Sequence, residues 1–293
     1  MEKRDRHRAS ENLEAQLLKL IKQAPEGSKE TRRKREGALR AVCRFLHETF
    51  RLQRLKNLKP KHIDRLLKEW RDRGVSVGEI QNRLSYIRWL AERLGKDRLI
   101  STSNADLGLE KRERYTHAGK TMPEDKREEI IGRLDNDKDK MMILCGRHFG
   151  MRFKEAALFR PYQDVDGNIL WIKRGTKGGR PRFIRLVNDA QWAVLEGLRW
   201  VANGKEGCLV DPAKQYKSWK STTYKRFRAA GLSREVDHVF HDLRRTWADE
   251  EFARLRAKGL SIRAAATIVA KRLGHNRLEV LKWYLPGGGM VCQ

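Results

Sequence analysis

NILWIKRGTKGGRPRFIRLV, residues 168–187, decides the fold class. Two short runs rich in Ile, Val, Phe and Trp flank a glycine-rich turn, the pattern of a β-hairpin, with Lys177 at its tip. On either side the apolar spacing is helical. After the hairpin, helices are expected near 189–202, 214–230, 240–258, 261–273 and 276–284. Before it, a helix opens at Pro123 and runs through Ile130, Ile131 and Leu134, and a second spans about Met141 to Phe149. The chain therefore reads as mainly α with one small β-sheet.

The first hundred residues carry no strand signal and read as four amphipathic helices. Leu13, Leu17, Leu20 and Ile21 mark the first; Leu39, Val42, Cys43, Leu46 and Phe50 the second; Ile63, Leu66, Leu67 and Trp70 the third, which Gly74 ends. Ser76 and Glu79, in capping-box spacing, open the fourth, which stops at Gly95. These stripes predict one helical bundle over 1–100. A polar segment with Ser101, Thr102, Ser103, Asn104 and the run KRER at 111–114 reads as a linker over 101–122, leaving 123–293 as a second domain.

The charge is strongly positive: 65 Lys and Arg against 38 Asp and Glu, a formal +27 over 293 residues. Residues 1–120 hold 31 basic and 17 acidic residues and the remainder 34 and 21, so both halves are basic. An even excess of this kind suits a protein that holds nucleic acid with both domains rather than through one basic tail. No stretch approaches the ~20 apolar residues that span a bilayer, and the charged N-terminus lacks a signal-peptide core, so the chain is expected in the cytosol, at the nucleoid. Cys43, Cys145, Cys208 and Cys292 lie far apart without paired spacing, which implies reduced thiols rather than disulfides or a zinc site.

Several polar residues stand where each alone has an ordinary explanation. Arg152, in FGMRFKEAALF, opens a helical run and can form a salt bridge with Glu155. Lys177 occupies a wet turn. In HDLRRTWADEEF, His241 and Arg244 are three apart and share a helix face, where two cation-capable groups call for an anion between them. His275, in RLGHNR, follows a helix-ending glycine, and Tyr284, in LKWYLPGGG, has the spacing of a core tyrosine. No P-loop sequence and no carboxylate cluster for two-metal chemistry is present.

The joint order of these residues resembles the tyrosine recombinase family, which includes lambda-type phage integrases: arginine after Gly-Met, lysine in a hairpin turn, His-x-x-Arg, Leu-Gly-His, and tyrosine nine residues later. The motifs cover about 120–286; the first hundred residues resemble the family's helical core-binding, SAM-like domain by pattern. The resemblance implies that Arg152 and Arg244 clamp the phosphate, Lys177 protonates the leaving oxygen, His241 and His275 fill the histidine positions, and Tyr284 is the nucleophile. Glu155 then supports Arg152. These types suit the reaction, because attack on a phosphodiester builds negative charge on nonbridging oxygens that two guanidiniums can bind bidentately. A phenol, with an ordinary pKa of about 10, needs nearby cations and a proton acceptor. The implied product is a 3′-phosphotyrosine link with a free 5′ hydroxyl, so rejoining needs no cofactor and no metal.

The same resemblance implies a mobile-element integrase acting on double-stranded DNA, two domains closing as a clamp on the duplex, a tetramer on DNA, and an accessory DNA-bending protein as a further partner. Arg32, Arg33, Lys34 and Arg35 in the first domain, and Arg174, Arg180 and Arg182 around the hairpin, are candidate DNA-binding residues. Arg160 and Arg185 flank the same region. Arg245, one residue from Arg244, should point about 100° away and serve elsewhere. Only nine residues follow Tyr284, where many family members carry a further helix that docks on a neighbouring subunit, so either another surface links the protomers or the native C-terminus is unusual. Two alternatives share this sequence pattern: a type IB topoisomerase, and a noncatalytic DNA-binding protein on the same scaffold.

Overall fold

The computed structural model describes residues 2–110, 120–275 and Leu281, with side chains from residue 12 onward. It divides into two compact units, Met1–Arg114 and Tyr115–Gln293. The helix expected over 276–284, Tyr284 itself, Cys292 and the KRER run lie outside the described residues. No described helix is long and apolar enough to cross a membrane.

In the first unit, α1 (Glu2–Gln23), α2 (Lys29–Phe50), α3 (Pro60–Asp72) and α4 (Val77–Arg93) follow the expected stripes. Their starts are written locally. The Ser28 hydroxyl accepts the Thr31 N–H at 3.1 Å, the Ser76 hydroxyl accepts the Glu79 N–H, and Pro60 is the first residue of α3. Leu13, Leu17, Leu39, Leu46, Ile63, Leu66, Ile80 and Leu84 are all buried. Each such side chain contributes about 1.5–3 kcal/mol relative to exposure.

The polar segment after residue 100 is bound to this unit as far as it is described. Arg71 donates to the Leu107 carbonyl at 2.7 Å, Gln81 to the Glu110 carbonyl at 2.9 Å, and Arg88 to the Ser101 carbonyl at 2.9 Å, while Leu109 joins the core. Side chains from two helices thus satisfy a backbone that has no ladder of its own.

The second unit is built around α6 (Asp137–Phe149), with α5 (Glu124–Gly132) before it. It packs against α8 (Asp189–Val201) and α10 (Phe240–Ala257). The short α7 (Phe153–Leu158) leads to a three-stranded antiparallel sheet of β1 (Val165–Asp166), β2 (Ile169–Ile172) and β3 (Arg182–Arg185). Leu170 faces Ile184 and Ile172 faces Arg182, and all four side chains are buried; Trp171 and Phe183 pair on the other face, 5.5 Å between ring centroids. Beyond the sheet, α9 (Tyr216–Ala229) precedes α10, and α11 (Ile262–Leu273) follows it. The β2–β3 connection lies hard against α7: at Gly175, φ +73°, a Cβ would stand 2.6 Å from the Lys154 carbonyl oxygen, so only glycine fits.

Candidate active site

The site begins where α6 ends. Gly150 adopts φ +55°, and a Cβ there would fall 2.5 Å from the Trp247 ring, so a glycine closes the helix and reverses the chain beneath α10. Two residues later Arg152 caps α7. Its backbone N–H donates to Glu155 Oε2 at 2.7 Å, and its guanidinium donates to Glu155 Oε1 at 2.7 Å. Aromatic packing fixes this start: Phe153 stacks on Tyr224 at 4.5 Å and meets Phe240, the first residue of α10, edge-on at 5.4 Å.

Glu155 is fully buried, and three guanidiniums converge on it: Arg152, Arg182 at 2.7 Å and Arg244 at 3.5 Å. Burial alone would raise its pKa, but Arg182 and Arg244, with hydrogen bonds from Arg182 and the Arg152 N–H, hold it down to about 2. Arg244, itself fully buried, also donates to the carbonyls of Gly150 and Leu273. Arg182 donates to the carbonyls of Gly150 and Arg272. The last turn of α11 is thus tied to α10 and β3, and Gly274 at φ +70° turns the chain into His275.

His275 Nε2 stands between two of the arginines, 3.5 Å from Arg152 Nη2 and 3.4 Å from Arg244 Nη2. Burial, then Arg244 and Arg152, push its pKa down to about 3. The His241 imidazole is pushed down to about 3 as well, by burial and then by Arg244, Arg245 and Arg152. Both rings are neutral at pH 7. The point occupied by His275 Nε2 is therefore one at which an acceptor meets two guanidiniums at once.

Lys177 is exposed at the hairpin turn and, among the described residues, makes no hydrogen bond or ion pair with this cluster. Arg245 pairs with Asp242 at 2.6 Å, away from Glu155. Among the described residues no group of His, Cys, Asp and Glu has the make-up of a metal site.

Residues 10–100 match the family described as "Phage integrase, N-terminal" and residues 117–250 the family described as "Integrase". The chain belongs to the tyrosine recombinase family. The fold is similar to that of a lambda integrase dimer bound to a COC' core site, at TM-score 0.66 and 17% identity, covering 92% of this chain and 93% of that one. It is also similar to XerH site-specific recombinase bound to a palindromic difH substrate, at TM-score 0.62 and 17% identity over 92% and 80% of the chains. The Tn1549 transposon integrase in complex with a circular intermediate DNA gives TM-score 0.62 at 14% identity over 94% and 95%. No curated protein matches the sequence.

Two of the DNA-binding candidates in this tyrosine recombinase are buried. Arg182 belongs to the buried cluster: its side chain is 3% exposed, because β3 alternates and position 182 faces inward with Ile184. Arg35 is buried against Trp89, its guanidinium carbon 4.0 Å from the ring centroid, and donates to the Glu26 carbonyl at 2.7 Å. Arg33 and Lys34 are exposed and share Glu30, Arg32 is half-buried, Arg180 is exposed, and Arg174 is held by Asp164.

One basic surface is absent from the residues that the sequence singled out. Lys217, Lys220, Lys225 and Arg228 line a groove on α9 with Ser221 and Tyr224, the ring that stacks on Phe153 beside Arg152. The signal is present in the chain, since residues 212–234 hold seven Lys and Arg and no carboxylate.

Proposed function

We infer that this protein is a site-specific DNA recombinase that cleaves and rejoins DNA through a 3′-phosphotyrosine at Tyr284. The observation that carries the reading is the meeting of Arg152 and Arg244 at one acceptor, His275 Nε2, over a buried Glu155. A nonbridging phosphate oxygen has the same requirement as that nitrogen, namely donors from two planar guanidiniums, which strengthen as charge develops in the five-coordinate transition state.

In the first step Tyr284 Oη bonds to phosphorus as the bond to the 5′ oxygen breaks. One neutral imidazole, that of either His241 or His275, receives the phenol proton, and Lys177 gives a proton to the departing oxygen. Rejoining runs the same transfers in reverse, so the ester bond energy is kept. The exposed position of Lys177 on a glycine-rich turn suits a residue that closes on bound DNA.

The basic α9 face and the exposed cations of α2 hold the duplex backbone, giving affinity that falls steeply with salt. Similar lambda integrase structures include a tetramer bound to a Holliday junction, which supports a tetramer on DNA for this chain also.

The test is a nicked suicide duplex drawn from the flanks of the coding region. Wild-type protein should be trapped as a covalent adduct, and Tyr284→Phe should bind with nearly unchanged affinity and form none. An adduct formed equally by Tyr284→Phe would remove Tyr284 from its role. Relaxation of plasmids without any cognate site would instead favour the topoisomerase alternative.

A further inference from the structure

Arg182 sits in a column of buried aliphatic side chains, opposite Ile172 on β2 and two residues before Ile184. Its acceptors come from three segments that border the site. They are Glu155 Oε2 at 2.7 Å, the Gly150 carbonyl at 3.2 Å just before Arg152, and the Arg272 carbonyl at the end of α11 just before His275. Glu155 Oε2 also faces Arg244, but at 3.5 Å, so this oxygen leans toward Arg182.

The charges decide what this arrangement does. With both histidines neutral, the three guanidiniums that meet Glu155 exceed it by two positive charges, counted over these four side chains. A phosphodiester carries one negative charge and approaches two in the five-coordinate transition state. Without Arg182, Glu155 would draw on Arg152 and Arg244 for its whole compensation, and half of that local excess would vanish.

We propose that Arg182 is a positioning residue that occupies the second oxygen of Glu155, leaving the charge of Arg152 and Arg244 for the scissile phosphate and tethering the turn into His275. The inference rests on the reading of Arg152 and Arg244 as phosphate ligands.

The experiment compares wild type, Arg182→Met, Arg182→Lys, Glu155→Gln and the double variant E155Q/R182M in the full chain, by single-turnover cleavage of the nicked duplex at saturating protein. Arg182→Met should cleave roughly a hundredfold more slowly, the scale of losing one preorganised donor, with duplex affinity changed less than about threefold, since the residue is not counted among the phosphate contacts. It should also gain an acid limb, because a Glu155 that has lost Arg182 protonates more readily and releases Arg152 as pH falls. Arg182→Lys should recover part of the rate. The double variant should cleave faster than Arg182→Met alone, since it removes one charge of each sign.

Cleavage by Arg182→Met at the wild-type rate would overturn the proposal, as would a loss confined to affinity or a double variant as slow as the product of the single effects. Stabilisation by inorganic phosphate in thermal melts separates this from the functional reading. Should wild type form no adduct, phosphate stabilisation that is lost in Arg182→Met and regained in E155Q/R182M would uphold the charge arrangement while the recombinase chemistry falls. Absence of that pattern would sink the arrangement too. If Arg182→Met is too unstable to melt cooperatively, Arg182→Lys and the double variant decide the matter by the same two measurements.

Discussion

Arg35 in the first unit and Arg244 in the second are both buried arginines that share a carboxylate, half exposed in the first case and fully buried in the second. Arg35 has one carboxylate nearby, Glu26 at 4.0 Å and half exposed, together with the Glu26 carbonyl and the face of Trp89. Arg244 shares a single, fully buried carboxylate with two more arginines. The first arrangement also shares its carboxylate, because Glu26 pairs with Arg93 as well, but Glu26 is half exposed and water screens the charge that the pairing leaves. The second sets three guanidiniums on one buried carboxylate among the described residues, an arrangement that suits the arrival of an anion. Buried charge that is left unbalanced is the mark of a site, and burial alone is not.

This comparison breaks most directly by removing each arginine. Arg244→Met strands the Leu273 carbonyl, leaves the Gly150 carbonyl to Arg182 alone and empties part of a fully buried side-chain site, and should cost about 2–4 kcal/mol. Arg35→Met loses one hydrogen bond, one ring contact and a long ion pair to the half-exposed Glu26, about 1–2 kcal/mol. Urea unfolding of the two variants measures both, and equal losses would erase the distinction.

A smaller effect should appear with pH. Glu155, held at about 2 against an ordinary value of about 4.3, contributes stability that is present above the unfolded value and lost as pH falls through the folded one. His241 and His275, held at about 3 against about 6.5, take up protons in the unfolded chain before the folded one, so acidification from pH 6.5 toward 3 favours unfolding. All three act in the same direction, so stability should rise with pH across that window. His275→Asn should reduce the slope by about one proton. A slope unchanged in that variant would mean that His275 takes up its proton no later in the folded chain than in the unfolded one.

Much of this was legible in the sequence, and the limits were physical. The helices and the hairpin follow from apolar periods of 3.6 and 2, and the pairing of Arg152 with Glu155 and of His241 with Arg244 follows from three-residue spacing on helices. The inward aim of Arg182 was legible too, since Ile184 and Leu186 set the phase of β3 and 182 is in phase with them, but its charge argued for the surface. Residues 101–110 have the polarity of a linker, whereas donors from α3 and α4 bind their carbonyls, a tertiary match that no local pattern carries. Strand β1, two residues long, is too short to have a period.

The finest form of the comparison sets one basic surface against another. On α2, Arg33 and Lys34 share Glu30, at 3.0 and 3.9 Å. On α9, Lys217 and Lys220 are exposed in a stretch without a carboxylate, and among the described residues neither has an ion pair. Exposed pairs contribute only about 0–1 kcal/mol, so neither Arg33→Ala with Lys34→Ala nor Lys217→Ala with Lys220→Ala should move the urea midpoint appreciably. Their effects on duplex binding should differ. Each cation that neutralises a phosphate adds about 0.9 to the slope of log affinity against log salt. The α9 pair should therefore lower the slope by about two and the α2 pair, already partly neutralised by Glu30, by less than one. Equal reductions would show that an intrahelical carboxylate yields to a phosphate at no cost, and that shared charge does not mark a cation as structural.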